Sequence, residues 1–199
     1  MRKSIGSKKV KTAVFISGKG SNLKNLIKFA KNKKYPFSVD LIFSNTKKAK
    51  GLEYSKIYKI KKKVICYDKK IKTDRKILKI LTQKKIKLIC LAGFMKILSK
   101  NFIKKFQGKI INIHPSLLPK YKGLHVIEQA LDSGDDVTGV SVHYVNEELD
   151  GGEIIEQRKV PIYDGDDLEI LTKRIQRQEY CLLPRAIENV KYKIQIGTN

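Results

Sequence analysis

Cysteine is scarce in this chain: Cys66, Cys90 and Cys181 are the only three in 199 residues. Their odd number and wide spacing exclude a disulfide framework and a cysteine metal site. They suit a reducing compartment, so a cytoplasmic protein without bound metal is expected. No apolar run approaches the roughly 18 residues that a membrane span needs, and no membrane role is expected. The apolar stretch behind the basic N-terminus, residues 13–16, is too short for the core of a signal peptide. Glycine, serine and proline nowhere gather into a linker, and no segment repeats. A basic extension, residues 1–11, followed by one domain, residues 12–199, is the organisation this implies.

Acidic residues are nearly missing from the first half. Residues 1–110 carry 33 basic and 4 acidic groups, whereas residues 111–199 carry 10 and 15, within a net charge of +24. A basic half can mark a nucleic-acid footprint. Arginine, however, supplies only six of the 43 basic groups, and it is the residue suited to bidentate phosphate and base contacts. Lys24, Lys28, Lys31, Lys79 and Lys84 read instead as solvated faces. Small-molecule substrates are therefore expected rather than nucleic acid, in a monomer or homodimer. The hydrophobic fraction of 41% supports a folded core.

Apolar patterning predicts strands at residues 12–17, 39–43, 64–67, 88–92 and 110–114, the last but one being the most apolar. Helical spacing falls between them. Leu23, Leu26, Ile27 and Ala30 share one face, residues 49–56 suit a short helix, and residues 74–83 carry a stripe of Ile77, Leu78 and Leu81. Ser99 is placed to cap a helix bearing Phe102, Ile103 and Phe106. A brief helix at 126–131 precedes strands at 137–144 and 153–161, near enough to pair antiparallel. A final helix spans 167–189, with Pro184 as a site for a kink. The fold class is α/β: a Rossmann-like open, mostly parallel sheet with helices on both faces and an antiparallel C-terminal extension. Ligands bind such sheets beyond the carboxyl ends of the strands.

Three segments at such ends carry chemistry. Residues 17–22 (SGKGSN) join a strand to a helix, and free N–H groups at a helix start suit an anion. The segment completes neither a Walker A loop nor G-x-G-x-x-G, so a plain turn and a phosphate cradle both remain open. Residues 112–119 (NIHPSLLP) put Asn112 and His114 on one strand face, with Pro115 holding His114 extended. An amide donor beside an imidazole suits acyl transfer, because Asn can hold a developing oxyanion and His can move a proton. A structural histidine at a strand terminus is the alternative. In residues 147–152 (EELDGG), Asp150 matters only if it lies near His114, where a carboxylate would orient the imidazole. His143 either lines the same cleft or packs, and His125 reads as structural.

These segments together resemble the phosphoribosylglycinamide formyltransferases. The likeness runs through ISGKGSNL at 16–23, Ser44-Asn45 with Gly51-Leu52-Glu53, LAGFMKILS at 91–99, residues 112–119, GVSVH at 139–143, ELDGG at 148–152 and Gln178-Glu179. It covers about residues 12–190 in order. It implies transfer of a formyl group from 10-formyltetrahydrofolate to the amine of glycinamide ribonucleotide, in purine synthesis, with no metal. Gly20, Ser21 and Asn22 would hold the phosphate and Glu179 the ribose hydroxyls. Met95, Lys96, Ile97 and Leu98, with Asn112, would line the folate pocket. Asn112, His114 and Asp150 would form the catalytic trio: Asn112 polarising the formyl oxygen, His114 protonating the tetrahedral intermediate or stabilising its oxyanion, Asp150 keeping His114 charged and oriented. Lys19 replaces an asparagine common in the bacterial glycine loop. Where the family often has an arginine beside the folate, this chain has Lys70, with Arg75 as the alternative.

Three other readings share features with this one. A methionyl-tRNA formyltransferase would suit the basic half, but the chain leaves no room for a C-terminal RNA-binding domain. A formyltetrahydrofolate hydrolase would add an N-terminal regulatory domain. A basic nucleic-acid-binding module that kept the fold without catalysis would have no use for an intact trio.

Overall fold

The computed structural model describes residues 9–196. Strands β1 (Val10–Ile16), β2 (Phe37–Ser44), β4 (Leu88–Leu91) and β5 (Lys109–His114) form where large apolar residues run together, and pairing beside β2 adds the short β3 (Lys62–Val64). Two more, β6 (Val137–Tyr144) and β7 (Ile154–Pro161), follow. All seven join one sheet in the order β3-β2-β1-β4-β5-β6-β7. The first five are mutually parallel, and β6 and β7 add antiparallel at one end, as the alternation of strands and helices implies.

Helices cover both faces. They are α1 (Ser21–Lys31), α2 (Tyr54–Ile57), α3 (Ile71–Gln83), α4 (Lys100–Lys105), α5 (Val126–Asp132) and α6 (Leu168–Ile196). The period-two alternation of β1 divides its side chains between two cores. Val14 and Ile16 pack with Leu23 and Leu26 of α1 and Ile175 and Leu183 of α6. Ala13 and Phe15 pack with Ile77 and Leu81 of α3 and Phe102 of α4. The centre of the sheet, β1, β4 and β5, is thus buried on both sides, which explains the near-continuous apolar runs there.

Several boundaries differ from the sequence expectation. β1 begins at Val10, not residue 12, because Val10 pairs with Phe37 and its N–H donates to the Pro36 carbonyl. The last two positions of the expected extension are therefore strand, and residues 1–8 lie outside the described residues. β3 covers residues 62–64 rather than 64–67, since Lys62 sits beside Ile42 in the ladder and Tyr67 turns into the α3 core. Its two lysines are exposed on an edge strand, where charge discourages pairing with another chain. The expected helix at 49–56 is a 3₁₀ turn, Lys50–Glu53, leading into α2. α3 starts at Ile71, three residues early. Ser99 caps α4 as expected, accepting the Phe102 N–H.

α6 runs continuously through Pro184. Proline has no N–H, so the Tyr180 carbonyl one turn earlier loses its helical donor. Asn25 of α1 supplies the replacement, its Nδ2 donating to Tyr180 O at 2.7 Å. Asn25→Ala should therefore lower stability by about 1 kcal/mol, the cost of leaving a half-buried carbonyl without its donor. In a Pro184→Ala background, where residue 184 regains its own N–H, the same substitution should cost clearly less. Urea midpoints of the four variants measure this, and equal costs in both backgrounds would refute the pairing.

Candidate active site

Chain order reverses between β1 and β4, because β2 and β3 build outward on one side and β5 on the other. The carboxyl ends of β1, β4 and β5 open onto that switch point, where such sheets form a crevice. Ser17, directly after β1, ties the adjoining loops together. Its N–H donates to Gly93 O at 2.9 Å, its hydroxyl donates to Asn45 Oδ1 at 2.6 Å, and it accepts the Met95 N–H at 2.8 Å.

Gly20 takes a left-handed conformation at the start of α1, whose first turn has neither a side-chain cap nor an acidic residue. Its leading N–H groups are thus unclaimed by side chains, a setting that suits an anion. The 3₁₀ turn is packed hard against this loop: Gly51 N–H donates to Gly18 O at 3.0 Å, and a Cβ on Gly51 would lie 2.7 Å from Ile16 and 3.0 Å from Gly20 Cα. Asn22 meets Glu179 across the α1–α6 contact, Nδ2 to Oε2 at 2.9 Å. The exposed Lys19 and the half-buried Ser21 flank this point.

The loop after β4 shows Met95 and Ile97 at 60% and 55% exposure, an unusual apolar display beside a crevice. Lys96 is exposed as well, and Leu98 is buried beneath α4. Beneath the loop, the fully buried Asp74 accepts from Tyr67 Oη at 3.0 Å, Asn101 Nδ2 at 3.1 Å and Ser99 Oγ, while Tyr67 Oη also accepts the Ser99 N–H at 2.7 Å. Burial is the main influence on the Tyr67 phenol and holds it above its usual value. Lys70 precedes α3 with its ammonium largely in solvent, 3.9 Å from Asp68, and Arg75 is exposed one turn further on.

The third group is the most converged. Asn112 stands opposite His143 in the β5–β6 ladder, Nδ2 to Nε2 at 3.2 Å. The segment after β6 folds back and carries Asp150 over the pair. Gly152 makes that return possible, since a Cβ there would collide with the Tyr144 carbonyl. Asp150 Oδ1 lies 3.4 Å from Asn112 Nδ2 and 3.5 Å from His143 Nε2. Oδ2 lies 3.7 Å from His114 Nδ1 and accepts the Gly123 N–H at 2.9 Å. Burial pushes the Asp150 carboxyl upward, but the hydrogen bonds from His143 and Gly123 and the charge of both imidazoles outweigh it. The carboxyl therefore sits below the usual carboxylate range and is ionised at neutral pH. His114 Nε2 lies 2.7 Å from the Tyr121 carbonyl and His143 Nδ1 lies 2.8 Å from the Tyr144 carbonyl.

The amide and imidazole of β5 thus meet a carboxylate from a distant segment at the end of that strand. His143 belongs to the same cluster. Its facing position is set by the β5–β6 register, which the sequence alone did not give. Gly123 and Tyr121 contribute only backbone groups, for which side-chain chemistry carries no signal. His125 is exposed and pairs with Glu128 at 3.3 Å, outside the cluster. Cys90 is buried in the sheet, which pushes its thiol up to about 12 and leaves it inert, while Cys66 and Cys181 are exposed and free. Among the described residues, no group of three or more His, Cys, Asp or Glu is arranged to hold a metal ion, and no helix is long and apolar enough to cross a membrane.

The sequence pattern of the formyl transferase family matches residues 10–187. Phosphoribosylglycinamide formyltransferase of Escherichia coli is 42% identical, over 87% of this chain and 84% of that protein. The chain belongs to the formyl transferase family. A folate-type co-substrate comes with that membership. The human trifunctional purine biosynthetic protein adenosine-3 is 40% identical over 98% of this chain, which spans 20% of its length. The crystal structure of the phosphoribosylglycinamide formyltransferase of Brucella melitensis superposes with a TM-score of 0.85 at 39% identity, covering 90% of this chain and 94% of that one.

In this formyltransferase, Glu179 is a buried carboxyl whose ionisation bears on stability. Burial raises its carboxyl, with the Asn22 hydrogen bond a smaller opposing influence. A carboxyl that is higher folded than unfolded favours folding fully below its unfolded value, about pH 4, and progressively less as pH rises through its folded value. Glu179→Gln should therefore raise the urea midpoint at neutral pH and lose that advantage near the unfolded value. Equal midpoints at neutral pH would overturn this account.

Proposed function

We propose that this protein transfers the formyl group of 10-formyltetrahydrofolate to the amine of N1-(5-phosphoribosyl)glycinamide, giving the formylated amide and tetrahydrofolate in purine synthesis. The observation that carries the reading is the meeting of Asn112, His114 and Asp150 at the β5 end of the crevice, in a chain of this family. The amine attacks the formyl carbon. The new C–N bond and the broken carbonyl π bond give a tetrahedral oxyanion. The Asn112 amide nitrogen, 3.2 Å from His143 Nε2 and 3.4 Å from Asp150 Oδ1, turns one of its two hydrogens to the oxygen as the charge develops. His114 holds a proton beside the same oxygen. Collapse breaks the bond to N10 of the folate, which takes up a proton, while the attacking nitrogen gives one up through a water ordered by Asp150. The group moves directly, with no covalent enzyme intermediate.

The rest of the crevice divides between the substrates. Backbone N–H groups at Gly20, Ser21 and Asn22 take the ribonucleotide phosphate, and Glu179 takes the ribose hydroxyls. Met95, Lys96, Ile97 and Leu98, with Asn112, take the folate, its pterin read by backbone groups. Lys70 is the cation beside the folate, with Arg75 as the alternative. A cytoplasmic setting suits the free thiols.

A spectroscopic assay of formyl loss from the donor tests the reading, run with glycinamide ribonucleotide and with charged initiator tRNA. Turnover with the ribonucleotide alone is the expected outcome. His114→Ala should keep its fold and lose at least a hundredfold in kcat, the usual worth of a proton donor or oxyanion partner. Activity within threefold of the parent would remove His114 from the chemistry, and turnover with the tRNA alone would reassign the substrate.

A further inference from the structure

We propose that Tyr121 is a positioning residue for this reaction, its clamped peptide fixing which nitrogen of His114 carries a permanent proton. The inference rests on the reading of His114 as the proton-carrying group. Tyr121 is a non-glycine residue with a left-handed backbone, φ 54°. Such a conformation costs energy and persists only where the surroundings impose it. Here they do. The phenol hydroxyl donates to Asp135 Oδ2 at 2.7 Å and lies 2.7 Å from Ser133 Oγ. Lys120 Nζ holds the same Asp135 carboxylate through both oxygens, at 3.1 and 2.8 Å. From inside, the fully buried Ser116 reaches the carbonyls of Lys120 at 2.7 Å and Tyr121 at 3.2 Å. The peptide is gripped from both sides.

The consequence falls on the imidazole. The Tyr121 carbonyl lies 2.7 Å from His114 Nε2, and a carbonyl oxygen only accepts. Nε2 therefore keeps its hydrogen in both protonation states, and Nδ1 is the atom that gains and loses one. Nδ1 faces Asp150 Oδ2 at 3.7 Å, and Asp150 also faces His143 Nε2 at 3.5 Å. Turning the Tyr121 peptide over would present an N–H to Nε2 and send the permanent hydrogen to Nδ1. The exchangeable proton would then sit on the wrong edge of the ring. A cluster at the surface thus acts on the chemistry through one backbone carbonyl.

The experiment combines kinetics with ¹⁵N NMR of the histidine ring nitrogens in the full-length protein. The parent should show neutral His114 as the Nε2–H tautomer. Tyr121→Phe, which keeps the ring but loses the hydroxyl, should mix the tautomers and lower kcat about tenfold, with KM for both substrates within about twofold. Asp135→Ala should reproduce that pattern, and Asp135→Asn, which keeps an acceptor for the phenol, should restore most of it. The proposal fails if Tyr121→Phe keeps both kcat and the Nε2–H tautomer, or if the parent shows Nδ1–H. Tautomer assignment needs no substrate, so a parent that turned over no formyl donor would refute the activity and still leave the clamp decided by the spectrum.

Discussion

A carboxylate carried half out of water must find donors, and Asp150 is the point on which the crevice is organised. Its oxygens face an asparagine amide, two imidazoles and a backbone N–H, drawn from β5, β6 and the segment after Pro119. Without those donors an ionised group at this depth would protonate or swing into solvent. With them it stays charged, and its charge is aimed at the ring nitrogen of His114. Its own backbone is left-handed, φ 47°, and the close approach of Gly152 to Tyr144 holds the turn that presents it. Local strain at this position therefore accompanies the placement of a functional group.

The sheet supplies rigidity and the loops supply groups. Burial on both faces fixes β1, β4 and β5, so whatever follows their carboxyl ends is held to a frame. Two side-chain ties then fix the loops to one another. Ser17 joins the loops after β1, β2 and β4, and Asp74 pins the start of α4 from below. The second tie satisfies a fully buried carboxylate that would otherwise be stranded in a low-dielectric setting, where an unpaired acceptor costs most. The same logic joins α1 to α6, where Asn22 reaches Glu179 and Asn25 replaces the donor that Pro184 lacks.

Much of the architecture was legible in the linear pattern. Continuous apolar runs such as LICLA implied a parallel sheet covered on both faces, and β4 lies near its middle. The turn residues at 151–152 implied an antiparallel pair. Errors fell at element ends, as at β3, where the ladder beside β2 selected Lys62 to Val64 over the more apolar stretch that follows. Side-chain preference speaks weakly for three residues, and backbone pairing decided them. The surplus of lysine is spread over exposed positions, as a solvated surface would carry it.

What the chain determined alone was the inventory: an amide and an imidazole two residues apart on one strand, a carboxylate before two glycines, and a glycine loop between strand and helix. Each follows from local covalent geometry and spacing, which need no partner. Only the folded state decided that Asp150 reaches His114, that His143 joins them, and that a carbonyl seven residues downstream sets the hydrogen on the ring. Those relations depend on strand register and on a left-handed peptide held by a surface cluster, and no side-chain pattern encodes where a backbone oxygen will point.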